Sequence, residues 1–502
     1  MTVITHDARE SSSRSPALLL TVLAAAVLAA MILAAGSSAL YAVFGLALFG
    51  VFLLYPFAGL YLTTALLLLS GSATVIGDLR MQVPLTASKI CGAAAFAAWL
   101  ITAIVRREPI RFTTATAMLL VFLIWSGLGV AASASWHLQW PEWVRLLTLV
   151  AYFFFAVNIL NSAKRLRAYV LLVLLCGLAL ALFALAQYFI ADLHLELETQ
   201  EADVGVRAEG AYIEHDARNG PPAVRVSGGT GHSNWLALLI LTIMPLNAYW
   251  FMTSKHGAFK ALALVTVFLE ICALVLTFTR TGFLIGCIVL VVLAAHHLVR
   301  FTPQRVAAIA LALFCSWFLL PTGYKERVLD FTGYGHSESI RNRLELQKVA
   351  WETTLDHPFL GVGLGGYGPN LLKQNLRVAR IMRWFIDQYH WPPQFVGPHN
   401  MYLQVAAETG IVGLMLFAVF FALLLRDLRS TNRVLVEMGH KEGAALTSTV
   451  EVGLIAFLIG ALFLHALQQK VWWMIAATAA ASPVYQKAFT TPASSTKESK
   501  PA

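Results

Sequence analysis

The sequence predicts an all-α, polytopic transmembrane bundle of about twelve to fourteen spans with a large helical loop on one side. Three observations carry that prediction. The first is composition: of 502 residues, 58% are hydrophobic and 13% charged, and the mean hydropathy is +0.69. Soluble globular chains carry roughly 25% charged residues, so most of this one belongs in lipid. The second is a recurrence of apolar runs close to the ~20 residues that cross a hydrocarbon core as a helix. The third is the placement of Lys and Arg, which gather in every other short connection.

The runs fall near 17–35, 40–55, 57–76, 90–105, 114–132, 143–160, 168–190, 235–252, 261–278, 282–299, 306–320, 401–425, 452–467 and 471–484, the last being weak. They divide the chain into a polar cytoplasmic tail (1–16), N-terminal spans (17–190), a first loop (191–231), further spans (232–320), a large second loop (321–399), C-terminal spans (400–486) and a polar tail (487–502). The short basic connections contain Arg106, Arg107 and Arg111; Lys164, Arg165 and Arg167; Lys255 and Lys260; Arg300 and Arg305; and Arg426, Arg429 and Arg433. Short loops rich in Lys and Arg stay cytoplasmic. With fourteen spans and a cytoplasmic N-terminus, all five lie inside, which places both long loops on the outer face. The net charge of +9 is then a positive-inside signal and requires no nucleic-acid partner.

The N-terminal stretch has no cleavable signal pattern. Cys91, Cys176, Cys272, Cys287 and Cys315 lie in apolar runs without C-x-x-C spacing, which supports neither a disulfide framework nor a metal site. Trp136, Trp140 and Trp143 read as an interfacial aromatic belt.

Chemistry is therefore sought where the outer loops meet the spans. The first loop is acidic and ends in RVSGGTGHSN (225–234), whose glycines allow close backbone approach to a ligand or simply make a flexible returning loop. Arg280, in LVLTFTRTGFLIG, sits between two apolar runs. Burying an arginine at membrane depth costs at least ~2.5 kcal/mol, so it is either functional or an anchor reaching for the interface. In the second loop, Ile340, Leu344, Trp351 and Leu355 follow helical spacing up to Pro358. LGVGLGGYG (360–368) is turn-rich but lacks the strand context of a dinucleotide site. A second helix over 371–388 is expected to align Lys373, Arg377, Arg380 and Arg383. That stripe suits a diphosphate, or else lipid headgroups. Finally, PHNMYLQVAAETGIVGL (398–414) joins His399 and Asn400 to the start of a span.

These segments resemble the O-antigen ligase/polymerase superfamily of bacterial membrane glycosyltransferases. The resemblance rests on RVSGGTGHSNWLALLILTIMPL (225–246), TFTRTGFL (277–284) and the segment from HPFLGVGLGGYG through PHNMYLQVAAETGIVGL (357–414), in that order. It implies an inverting, metal-independent transferase in the inner membrane, working without cofactor at the periplasmic face. The implied donor is a glycan on undecaprenyl diphosphate, and the acceptor lipid A–core or another saccharide. The residues implied as essential are Arg225, Arg280 and His399. His399 suits a general base for the attacking sugar hydroxyl, and the two arginines suit the departing diphosphate. Asn234 is grouped with the substrate-binding positions, as are Asn400 and Glu408, which either orient the histidine or the loop; Glu408 could equally pair helices. His232 and His465 are weaker candidates. A ligase and an O-antigen or exopolysaccharide polymerase share this donor chemistry and differ in the acceptor. A small-anion transporter is the alternative of another class, but the chain shows no inverted repeat or paired broken helices.

Overall fold

The computed structural model describes residues 37–69, 74–76, 85–190, 226–230, 232–295, 338–374, 376–389 and 396–486. The expected spans 17–35 and 306–320, and Arg225, lie outside them. Within the described residues the chain is a helical bundle with one small antiparallel ribbon, β1 (Thr74–Ile76) with β2 (Leu85–Thr86).

The N-terminal helices are α1 (Ser37–Leu54), α2 (Pro56–Leu69), α3 (Ala87–Val105), α4 (Thr114–Ala132), α5 (Trp136–Ile159) and α6 (Ala163–Phe189). Capping sets several boundaries: Thr113 accepts the Thr116 N–H at 3.1 Å, which starts α4 at the expected residue. The next helices are α7 (Ser233–Ile243), α8 (Pro245–Thr253), α9 (Gly257–Leu276) and α10 (Arg280–Ala295). Pro245 divides the run expected at 235–252 into α7 and α8, because proline has no N–H to continue the helix. The second loop forms α11 (Glu338–Asp356), α12 (Tyr367–Leu372) and α13 (Arg377–Tyr389). The C-terminal part is α14 (Met401–Glu437), α15 (Lys441–Gly460) and α16 (Lys470–Ala481).

Eight of the described helices, α7 and α8 counted together, are long and apolar enough to cross a membrane. The protein is a multi-pass, all-α membrane bundle. α16 differs from expectation. Its 12 residues reach only about 18 Å, against a hydrocarbon core of about 30 Å, and it lies buried inside the bundle. There Trp472 stacks on Trp473 at 3.9 Å and meets Phe417, Phe420, Phe421 and Phe457. Outside, α9 presents Leu264, Val265 and Phe268, and α10 presents Phe283, Leu284 and Val291. Apolar side chains on an outer surface are stable only where the surroundings are apolar.

Buried hydroxyls obey the same constraint. Thr64, Thr242 and Thr478 each donate to the carbonyl four residues earlier, which pairs these three hydroxyls within their own helices. Of the cysteines, Cys91 and Cys176 are buried, whereas Cys287 is exposed on α10 and faces outward rather than into the core.

Two details of the second loop correct the sequence expectation. α11 forms as its spacing predicts, yet Leu344, Trp351 and Leu355 are exposed, and Leu346, Val349 and Ala350 make its buried face. The basic stripe is not on one helix. Lys373 caps α12, and Arg377, Arg380 and Arg383 follow on α13 after a break.

Candidate active site

His399 holds a left-handed backbone conformation, φ 50°, which a residue with a side chain adopts at a cost of order 1–3 kcal/mol. The surrounding contacts enforce it. Asn400 caps α14, its Oδ1 accepting the N–H groups of Tyr402 and Leu403, both at 3.0 Å. The Met401 N–H donates to Ala461 O at 2.8 Å, and the Tyr402 hydroxyl to Leu458 O at 2.7 Å. The imidazole is thus fixed between the second loop and the turn that follows α15.

That turn supplies His465, whose ring meets His399 edge-on at 5.2 Å between centroids and 72° between planes. His465 in turn contacts Trp235 of α7 at 6.1 Å, and Trp235 contacts His232 at 5.7 Å. His232 caps α7, its Nδ1 accepting the Asn234 N–H at 3.0 Å. The Nδ1 atoms of His399 and His465 are both buried without a hydrogen-bond partner. Removal from water holds His399 well below the ordinary imidazole range, with His465, Arg343 and His232 adding to the effect. The same desolvation pulls His465 down to about 4. His399 is therefore a neutral imidazole at neutral pH, with a nitrogen able to accept a proton.

The second motif reaches the same region through α7. α10 begins at Arg280 after a turn in which Phe278 is also left-handed, φ 51°. Thr277 fixes the turn by donating to Leu274 O at 2.6 Å. A side chain at Gly282 would collide with Ala237 of α7, so the two helices touch there. Val226, the first described residue after Arg225, donates to Leu276 O at 3.2 Å, just before that turn. The described parts of the first two motifs therefore meet at α7, and the third reaches it through His465. Of the described residues, only Arg107, Phe278 and His399 are non-glycine residues with positive φ, and two of these three mark the motif turns.

The other expected residues divide. Asn234 is buried in the first turn of α7. Glu408 lies about two and a half turns along α14 from His399, buried, and its Oε2 has no hydrogen-bond partner among the described residues. The glycine turn packs on the α14 backbone there, where a side chain at Gly361 would strike Glu408 and Thr409. Arg380 and Arg383 are exposed and Arg377 half-buried. The Arg383 guanidinium folds back on Ala379 O and Gln374 O, each at 3.4 Å. The sequence reading passed over Arg343, whose charge acts on both His399 and His465, and Trp235. Nothing in the helical run ESIRNRLELQ distinguishes Arg343 from Arg341; only packing does.

Residues 262–418 match the family described as O-antigen ligase. That segment, about a third of the chain, is what is similar to O-antigen ligases. No curated protein matches the chain significantly. The matched segment contains Arg280, Arg343, His399, Asn400 and Glu408. His465, which meets the His399 ring, and Trp235 and His232 behind it lie outside the segment.

Proposed function

We propose that the protein transfers a glycan from an undecaprenyl-diphosphate donor to a saccharide acceptor, lipid A–core in the ligase form, at the periplasmic face of the inner membrane. The observation that carries this reading is His399: a neutral, desolvated imidazole locked in a strained turn at the head of a membrane helix, inside the segment matching the ligase family.

The chemistry follows from that state. An acceptor hydroxyl attacks the anomeric carbon while His399 takes its proton, and the carbon–oxygen bond to diphosphate breaks with inversion. Diphosphate departs as an anion and needs neutralising more than protonating. Arg280 and Arg225 are assigned that task, with charge-assisted hydrogen bonds that strengthen as charge develops. Arg343 adds positive charge beside His399. No step calls for a metal or cofactor.

The test is reconstitution. Purified protein is given an undecaprenyl-diphosphate oligosaccharide with EDTA present, with or without lipid A–core. Product that appears only with core supports the ligase reading; a lengthened lipid-linked glycan without core means a polymerase. His399→Ala, Arg280→Ala and Arg225→Ala are each expected to lower transfer at least a hundredfold while inserting normally. Normal polymer from all three variants would sink the assignment. Folded protein with no turnover under either condition returns the anion-transporter alternative.

A further inference from the structure

A cavity of about 450 Å³ opens between the α4–α5 turn and the chain from His357 to Lys373. It lies within the roughly 300–1,000 Å³ range of ligand clefts. Its construction is specific. Gln139, almost fully buried on α5, donates its amide to Ser133 Oγ and Val362 O, both at 2.9 Å. Side chains at Gly363 or Gly366 would strike that amide, so glycine is what lets the turn close on it. From the other side the Val362 N–H donates to Ala407 O at 2.9 Å, and a side chain at Gly361 would strike the backbone of Glu408 and Thr409. The walls are therefore fixed in place without any ligand. One polar atom is left over: Gln139 Oε1 is buried with no partner.

The lining decides the ligand class. It offers the hydroxyls of Ser133 and Ser135, the amides of Gln139 and Asn370, and the largely exposed ring of Phe359. Lys373 is its one lysine or arginine, with His357 nearby, too little for a diphosphate; the lining is otherwise largely apolar but interrupted by four hydrogen-bonding side chains, which suits a sugar better than an unbroken polyprenyl tail. Neutral donors and acceptors beside an exposed ring suit the hydroxyls and the apolar face of a sugar. Position agrees. The turn docks on Ala407–Ile411 of α14, whose head carries His399, and nine helical residues span about 14 Å, within reach of a short oligosaccharide.

Resting on the transferase reading, we propose that this cavity is a saccharide subsite that holds the glycan away from the bond being made. The glycan's reacting end lies at His399 and its next sugars lie against Phe359 and Asn370.

The experiment separates the two claims by measuring binding without turnover. The probe is an end-labelled oligosaccharide released by mild acid from the cell's own surface polysaccharide, carrying neither lipid nor diphosphate. It is titrated against the full-length protein in detergent and followed by fluorescence anisotropy. Phe359→Ala and Asn370→Ala are expected to weaken binding at least fivefold, and Ser135→Trp, which fills the cavity, to abolish it. Lys348→Ala, exposed on α11 and outside the cavity lining, should bind as wild type does. Melting curves for each variant, with Ser135→Ala as the small-residue control, exclude misfolding. Wild-type affinity in folded Ser135→Trp, or no binding by the wild type, overturns the subsite. Cavity-dependent binding without any turnover keeps the subsite and removes the transferase reading.

Discussion

At the scale of single residues, His399 and His465 form a buried pair whose protonation is disfavoured. His399 is depressed by burial first and by its charged neighbours second, so its acid limb in kcat/KM should lie clearly below the unperturbed value of about 6.5. His465→Gln removes the nearest of those neighbours and should move that limb upward; an unmoved limb would mean that the pair is uncoupled. The same shifts make a stability prediction. An imidazole depressed on folding binds fewer protons native than unfolded between its folded value and about 6.5, so stability falls as pH drops through that window. For His465 the window runs from about 6.5 down to about 4. The protein's melting temperature should decline across it, and the decline should be smaller in His465→Gln.

At the scale of elements, the first nine residues of α14 are set off from its long span by a kink at Gly410, φ 73° and ψ 179°. The kink is held by Trp125, whose indole N–H donates to Thr409 O at 2.9 Å, and by the Ile411 N–H donating to Pro358 O at 2.8 Å. A side chain at Gly410 would meet the backbone of Pro358 and Phe359 in a conformation that already disfavours one. Gly410→Ala should therefore lower stability by about 1–3 kcal/mol and displace both the glycine turn and His399, with transfer falling more than melting temperature predicts. Asn400→Ala removes a cap, a loss of about 1 kcal/mol, and loosens the turn that carries the base. α13 provides a contrasting case. If Arg377, Arg380 and Arg383 recruit the donor, replacing all three with glutamine should raise the apparent KM for donor with kcat retained. An unchanged KM would leave α13 a headgroup anchor.

At the scale of the molecule, the bundle is sealed by aromatic packing around Trp472, and its outer surface is apolar. Trp472→Ala should cost about 3–5 kcal/mol, seen as a lower melting temperature in detergent. Orientation is a separate matter, carried by the basic connections. In a cysteine-free background, Glu352→Cys on α11 should react with a membrane-impermeant thiol reagent applied to spheroplasts, and Arg107→Cys should not. The reverse pattern would invert the topology and move His399 away from a periplasmic donor.

Much of this protein was legible in its sequence, because lipid as solvent enforces simple rules. Apolar runs, alternating basic connections and a capping asparagine are local signals, and α4, α9 and α11 formed close to where those signals put them; α14 began where expected but runs on to Glu437, so Arg426, Arg429 and Arg433 lie on the helix and not in a connection. His399, Asn400 and the turn before Arg280 stood out for the same reason: polar groups at the end of an apolar run have few structural uses. What tertiary structure decided was adjacency. That His465 backs His399, that the charge of Arg343 acts on the pair, that α7 meets the turn before Arg280 and, through Trp235, His465, and that Gln139 closes a cavity on a glycine turn all relate residues far apart in the chain. So does the buried face of α11, where helical spacing alone marked Leu344, Trp351 and Leu355 and packing chose Leu346, Val349 and Ala350. Hydrophobic periodicity reports that a helix has faces, but which face is covered depends on what folds against it.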